Sequence, residues 1–155
     1  MLQIWILNRI HFFGFAIPLF YVYFILKLPA DMGRNFLLFT ACFLGLVVDF
    51  FSYTLGINML ACTVTGFSRF YVLKAFAPRD MADSCIPSVE TFKPSKAFMR
   101  YAMVLVVIHQ IVFFVTESFT LLDLSTLLLK IAGSSVLTIF LIFGTEQLKL
   151  DFLKK

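Results

Sequence analysis

The sequence predicts an all-α fold, a polytopic integral membrane bundle of five to six transmembrane helices, and three observations predict it. Of the 155 residues, 61% are hydrophobic and 14% charged, against about 45–50% and about 25% in a soluble domain. The apolar residues gather in blocks long enough to cross a hydrocarbon core, which takes about 20 residues of helix. Lysine and arginine stand at alternate ends of those blocks, the pattern of a chain threaded back and forth through a bilayer. This composition excludes a water-soluble domain, a disordered tail and a disulfide-stapled module. The strict alternation of a membrane β-barrel is absent. The net charge of +4 makes no nucleic-acid face, because the basic residues sit between apolar blocks and not on one solvated surface.

The first block, Met1 to Leu28, is apolar but broken by Arg9, His11, Gly14 and Pro18. Proline removes a helical hydrogen bond, so the block reads as one kinked span or as two short helices, about 1–13 and 16–28. It lacks the basic start and small-residue cleavage site of a signal peptide. The next blocks predict helices over 35–53 and 57–77, turned tightly around Thr54-Leu55-Gly56, and over 97–119 and 124–148, linked near Asp123. Links this short force antiparallel hairpins. The segment 78–96, with three prolines and six charged residues, reads as a loop. The whole, 1–155, is one transmembrane domain. Lys27 and Arg34, then Lys74, Arg79, Lys93, Lys96 and Arg100, then Lys149, Lys154 and Lys155 mark one side. By the positive-inside rule, the loop 78–96 and the C-terminus are cytoplasmic.

No catalytic, phosphate-binding or metal motif occurs, and Cys42, Cys62 and Cys85 match no zinc or redox spacing. Neither catalytic residues nor a cofactor are expected. The informative residues are polar ones inside apolar blocks, because a charge at the bilayer centre costs at least about 2.5–3.5 kcal/mol and so faces inward, pairs or snorkels. Asp49, Arg69, His109, Glu117 and Lys130 qualify. Asp49 lies six residues before Leu55, roughly 9 Å deep at 1.5 Å per residue, and Lys130 lies at a similar depth. An ion pair of Lys130 with Asp49 or Glu117 is therefore expected. Arg69, two turns from the cytoplasmic end of its helix, is expected to snorkel toward that side, and His109 to be a hydrogen-bonded packing residue. Cys42, Gly45, Asp49 and Ser52 share one helix face, Asn58, Cys62, Thr65 and Arg69 another, and Lys130, Ser134 and Thr138 a third. Such small and polar stripes line either a bundle interior or a substrate cavity.

The order of motifs resembles a known family. The run Ile17-Pro18-Leu19-Phe20-Tyr21-Val22-Tyr23-Phe24-Ile25-Leu26-Lys27-Leu28-Pro29 is similar to the early segment of the rod shape-determining protein MreD. Gly45-Leu46-Val47-Val48-Asp49-Phe50-Phe51-Ser52 and then Leu55-Gly56-Ile57-Asn58 resemble that family's central hairpin. Pro78-Arg79-Asp80, Ile86-Pro87-Ser88 and Leu105-Val106-Val107-Ile108-His109-Gln110-Ile111-Val112-Phe113-Phe114, with Glu117 beyond, resemble its Bacteroidetes branch. One departure is the first helix, which begins close to Asn8-Arg9-Ile10-His11 and is shorter than the family's.

The resemblance implies a non-enzymatic component of the bacterial inner membrane, part of the cell-elongation machinery. Its partners would be MreC and, through it or directly, MreB, RodA and the elongation penicillin-binding protein, together with membrane lipid. The implied role couples peptidoglycan synthesis to cell shape. It also implies a six-helix fold similar to the substrate-binding component of energy-coupling-factor transporters, which favours two helices in the first block. The alternative is a vitamin-like small-molecule binding component of a transporter. That reading needs Asp49, Asn58, Glu117 and Lys130 to converge on a pocket. A membrane enzyme would have to use His109 with Glu117.

Overall fold

A computed structural model describes residues 21–54, 56–77, 86–89, 91–92, 95–118 and 124–153. Five helices lie in these segments: α1 (Val22–Leu26), α2 (Arg34–Ser52), α3 (Ile57–Phe76), α4 (Ser95–Glu117) and α5 (Leu124–Leu153). Among the described residues there is no strand, and the fold is all-helical. The expected helix over 1–13 and the start of the one over 16–28 fall on residues 1–20, outside the described residues, as does most of the loop 78–96.

Among the described residues, three helices are long and apolar enough to cross a membrane: Arg34–Ser52, and the stretches Lys96–Glu117 of α4 and Ser125–Lys149 of α5. α3 has the length, 20 residues, but Asn58, Thr65, Ser68, Arg69 and Lys74 lower its hydropathy. The chain thus has the helices of a membrane protein, and its outer surface agrees. Phe24, Phe67, Leu129, Val136 and Phe140 are exposed, the arrangement lipid accepts and water does not.

Local chemistry sets the helix ends. α1 stops because Pro29 disfavours helical geometry in the residue before it. α2 ends at Tyr53, whose backbone is left-handed (φ 56°), and Gly56 carries the turn onward at φ 80°. α5 runs to Leu153 and not to 148, because no glycine or proline follows the apolar block to stop it.

The helices pack in chain order, α2 on α3, α3 on α4 and α4 on α5, with α1 against α3 and α4. The α2–α3 hairpin is close. A Cβ on Gly45 would lie 2.4 Å from the Cα of Met59, and one on Gly66 2.9 Å from the Cβ of Ala41, so glycine is required at both crossings. The core is built from Val22, Ile25, Leu26, Ala61, Cys62, Phe98, Tyr101, Leu105 and Ile142. One end of the bundle gathers Lys27, Arg34, Lys74 and Lys96; the other holds the turn at 53–56.

Candidate functional site: the buried polar network

Asp49 lies in the last turn of α2, and its buried carboxylate reaches across the hairpin to the start of α3. Oδ1 accepts from the Asn58 amide (3.0 Å), from Asn58 Nδ2 (2.9 Å) and from the Thr54 hydroxyl (2.5 Å). Oδ2 accepts from the Met59 amide at 2.8 Å. The first amides of any helix lack intrahelical acceptors, and Gly56 at the N-cap of α3 has no side chain to offer. A carboxylate from the preceding helix supplies what an N-cap residue ordinarily would, and the positive end of the α3 dipole favours its charge. Asn58 passes the network on: its Oδ1 accepts from the Tyr21 hydroxyl at 2.5 Å.

Arg69 forms a second centre at the basic end. Its side chain runs toward that end without reaching water, so the expected snorkelling is corrected: the residue is 1% exposed. Its guanidinium donates to the carbonyls of Leu28 and Pro29 and, through Nε at 3.1 Å, to the Tyr101 hydroxyl. That hydroxyl donates in turn to the Leu26 carbonyl at 3.2 Å. The short α1 leaves carbonyls without amide partners where Pro29 ends it. Arg69, held between α2 and α4 by the packing of α3, is better placed to satisfy them than to reach water.

The third centre is Glu146 of α5. It pairs with Lys27 at 2.5 Å, accepts from the Tyr23 hydroxyl and accepts from the Val89 amide at 3.3 Å. One carboxylate thus ties α1, α5 and the segment 86–89 together. Among the described residues this is the ion pair, so the expected pairing of Lys130 with Asp49 or Glu117 is not formed. Lys130 is half-buried and Glu117 exposed. Depth along the helix, which sequence gives, brings groups together only when their directions around the axis also match. The Asp49 carboxylate found nearer donors in the next helix.

Asn58, Cys62, Thr65 and Arg69 are buried on one face of α3, and Ser134 and Thr138 on α5, as their spacing predicts. Between α4 and α5, Gln110 Nε2 donates to Thr138 at 3.2 Å, which donates to the Ser134 carbonyl at 2.8 Å. His109 is fully buried, with its ring 5.2 Å from that of Tyr21. Neither ring nitrogen has a hydrogen-bond partner among the described residues, which departs from the hydrogen-bonded role expected of it. His109 and Glu117 lie eight residues apart, about 12 Å along α4. A buried ring and an exposed carboxylate at that separation do not face one reacting centre.

Sequence reasoning missed Glu146, Lys27, Tyr21, Tyr23 and Tyr101. Glu146 carried a signal, since it is an acid inside the last apolar block and obeys the same cost argument as Glu117. The tyrosines carried none. Among the described residues no group of three or more histidine, cysteine or acidic side chains could hold a metal. A hollow of about 480 Å³ opens at the turn end beside Asp49, Phe50, Phe51, Tyr53 and Thr54. Searches of protein-family models, curated proteins and solved structures find no match to this chain.

Proposed function

We propose that the protein is a non-enzymatic, multi-pass component of the bacterial inner membrane, of the MreD type. It would help couple peptidoglycan synthesis to cell shape through intramembrane contacts with MreC and, through it or directly, with MreB, RodA and the elongation penicillin-binding protein. In this reading residues 1–28 complete a bundle of five to six spans. The fold is then similar to the substrate-binding component of energy-coupling-factor transporters, and the loop 78–96 and the C-terminus face the cytoplasm. One observation carries the proposal beyond the order of family-like motifs. Asp49, Arg69 and Glu146 are all spent on groups of the chain itself, while many of its aromatic side chains, Phe36, Phe39, Phe43 and Phe50 among them, face outward. A protein so built offers partners its surface.

Affinity purification of the full chain from its own cells, with mass spectrometry of what co-elutes, tests this. MreC and the wall-synthesis pair should co-elute, and depletion should round the cells. Their absence together with unaltered cell shape would overturn the reading. The transporter alternative takes its support from the hollow beside Asp49, and co-elution of an ATP-hydrolysing energising module would favour it.

A further inference from the structure

Helix α2 gives one face to the bundle and leaves the other bare. Leu37, Ala41, Gly45 and Val48 are buried. Opposite them stand Phe36, Phe39, Phe43, Leu46 and Phe50, continued by Tyr53 just past the helix end, each between 50% and 96% exposed. The intervals are three, four, three, four and three, the a/d seam of a heptad repeat, and all but Leu46 are aromatic. A face that only meets lipid needs apolar side chains over a broad arc and no fixed register. Here Leu38, Thr40, Cys42, Leu44 and Val47, none of them aromatic, lie half-buried beside the seam, so from Phe36 to Phe50 the rings form a ridge between shallower rows; off the seam Phe51, at 44% exposed, is the exception. Tyr53 extends that ridge at a cost. Its backbone is left-handed, a conformation glycine takes without strain, yet the position carries the most exposed ring of the set. Backbone strain of this kind persists where the side chain has a use.

We propose that the seam is the interface with a second copy of this chain, α2 packing parallel to its counterpart about a two-fold axis along the membrane normal. Two copies inserted in the same sense can be related by a two-fold only along that normal, so the same patch serves both partners. Like positions then meet in layers, at the crossing of about 20° that a heptad repeat favours. At about 200 Å² for a large side chain, six at these exposures present on the order of 800 Å², about what one partner gives a standard interface. In lipid, helices are held by packing more than by area. A regular three–four register lets knobs fill holes along the whole helix, and ring pairs attract beyond the area they cover. From Phe36 to Phe50 the seam carries no charged or hydrogen-bonding side chain to single out a different protein, whereas self-packing needs only its own repeat. The dimer stands whether or not the role proposed above holds.

Disulfide trapping of the full chain in membranes tests it. With Cys42, Cys62 and Cys85 replaced by alanine or serine, single cysteines are introduced along α2 and oxidised. Covalent dimer is expected at Phe36→Cys, Phe39→Cys, Phe43→Cys, Leu46→Cys and Phe50→Cys, and at least tenfold less at Leu38→Cys and Val47→Cys. Counting photobleaching steps in liposomes gives a readout without new cysteines. The unaltered chain should bleach in two steps, and a Phe39→Ala/Phe43→Ala/Phe50→Ala variant in one. Cross-linking without periodicity, a single step for the unaltered chain, or adducts with another protein in place of dimer would overturn the proposal.

Discussion

Asp49 shows how a single side chain in lipid can settle a helix boundary. Its carboxylate takes both of the α3 amides it can reach and two side-chain donors besides. Asp49→Asn keeps the shape but loses the charge and replaces one acceptor oxygen with a donor. It should lower stability by about 1–2 kcal/mol, the scale of a lost cap or charge-assisted hydrogen bond, read as the midpoint of unfolding in mixed micelles. Gly45→Ala should cost roughly 1–3 kcal/mol by overpacking, because its Cβ would meet the backbone of Met59 and backbone cannot move aside as a flexible side chain does. A midpoint unchanged by Gly45→Ala would show the hairpin to be looser than described. Asp49 was legible in the sequence as a costly charge that must face inward. Its partners were not. Residue counting gives depth and no direction around the helix, so Lys130, at matching depth, looked like the natural mate.

At the scale of elements, five of the eight ends of α2 to α5 lie within one residue of the ends of the apolar blocks, because lipid demands a helix of about the length of its core. The departures have local causes. α5 outruns its apolar block for want of a stop signal, and Ser95 opens α4 two residues earlier than hydropathy alone suggests. The contacts between elements were less legible, since they depend on where helix ends leave polar groups free. Arg69 illustrates this: it looked like a snorkelling side chain and is instead buried on the Leu28 and Pro29 carbonyls just past the end of α1. Removing it strands the Leu28 carbonyl and one hydrogen bond of Tyr101, each costing about 1–3 kcal/mol when buried unsatisfied. Arg69→Met should therefore destabilise the bundle by about 2–5 kcal/mol and expose the 27–33 connection to protease. Arg69→Lys should recover part of this, since one ammonium cannot reproduce the planar fork of donors. Equal stability of all three chains would contradict the assignment.

For the whole molecule, Asp49 sits at the turn end and Arg69 and Glu146 at the basic end, and the three hold different sets of elements: Asp49 joins α2 to α3, Arg69 joins α3 and α4 to α1, and Glu146 joins α5 to α1. Lipid offers helices no hydrophobic reason to associate, so hydrogen bonds and close crossings at Gly45 and Gly66 carry the cohesion. The aromatic exterior fits the same solvent. Membranes washed with alkaline carbonate should therefore retain the full chain, and only detergent should release it; recovery in the wash would show that lipid is not its solvent. The most direct measurement is amide hydrogen exchange at Asn58 and Met59 in lipid nanodiscs, for the unaltered chain and for Asp49→Asn. Both amides should be protected in the first and exchange at least tenfold faster in the second, the change expected for about 1.4 kcal/mol, while amides in the middle of α3 hold. Equal rates at Asn58 and Met59 in the two chains would contradict the claim that the buried Asp49 carboxylate closes the start of α3.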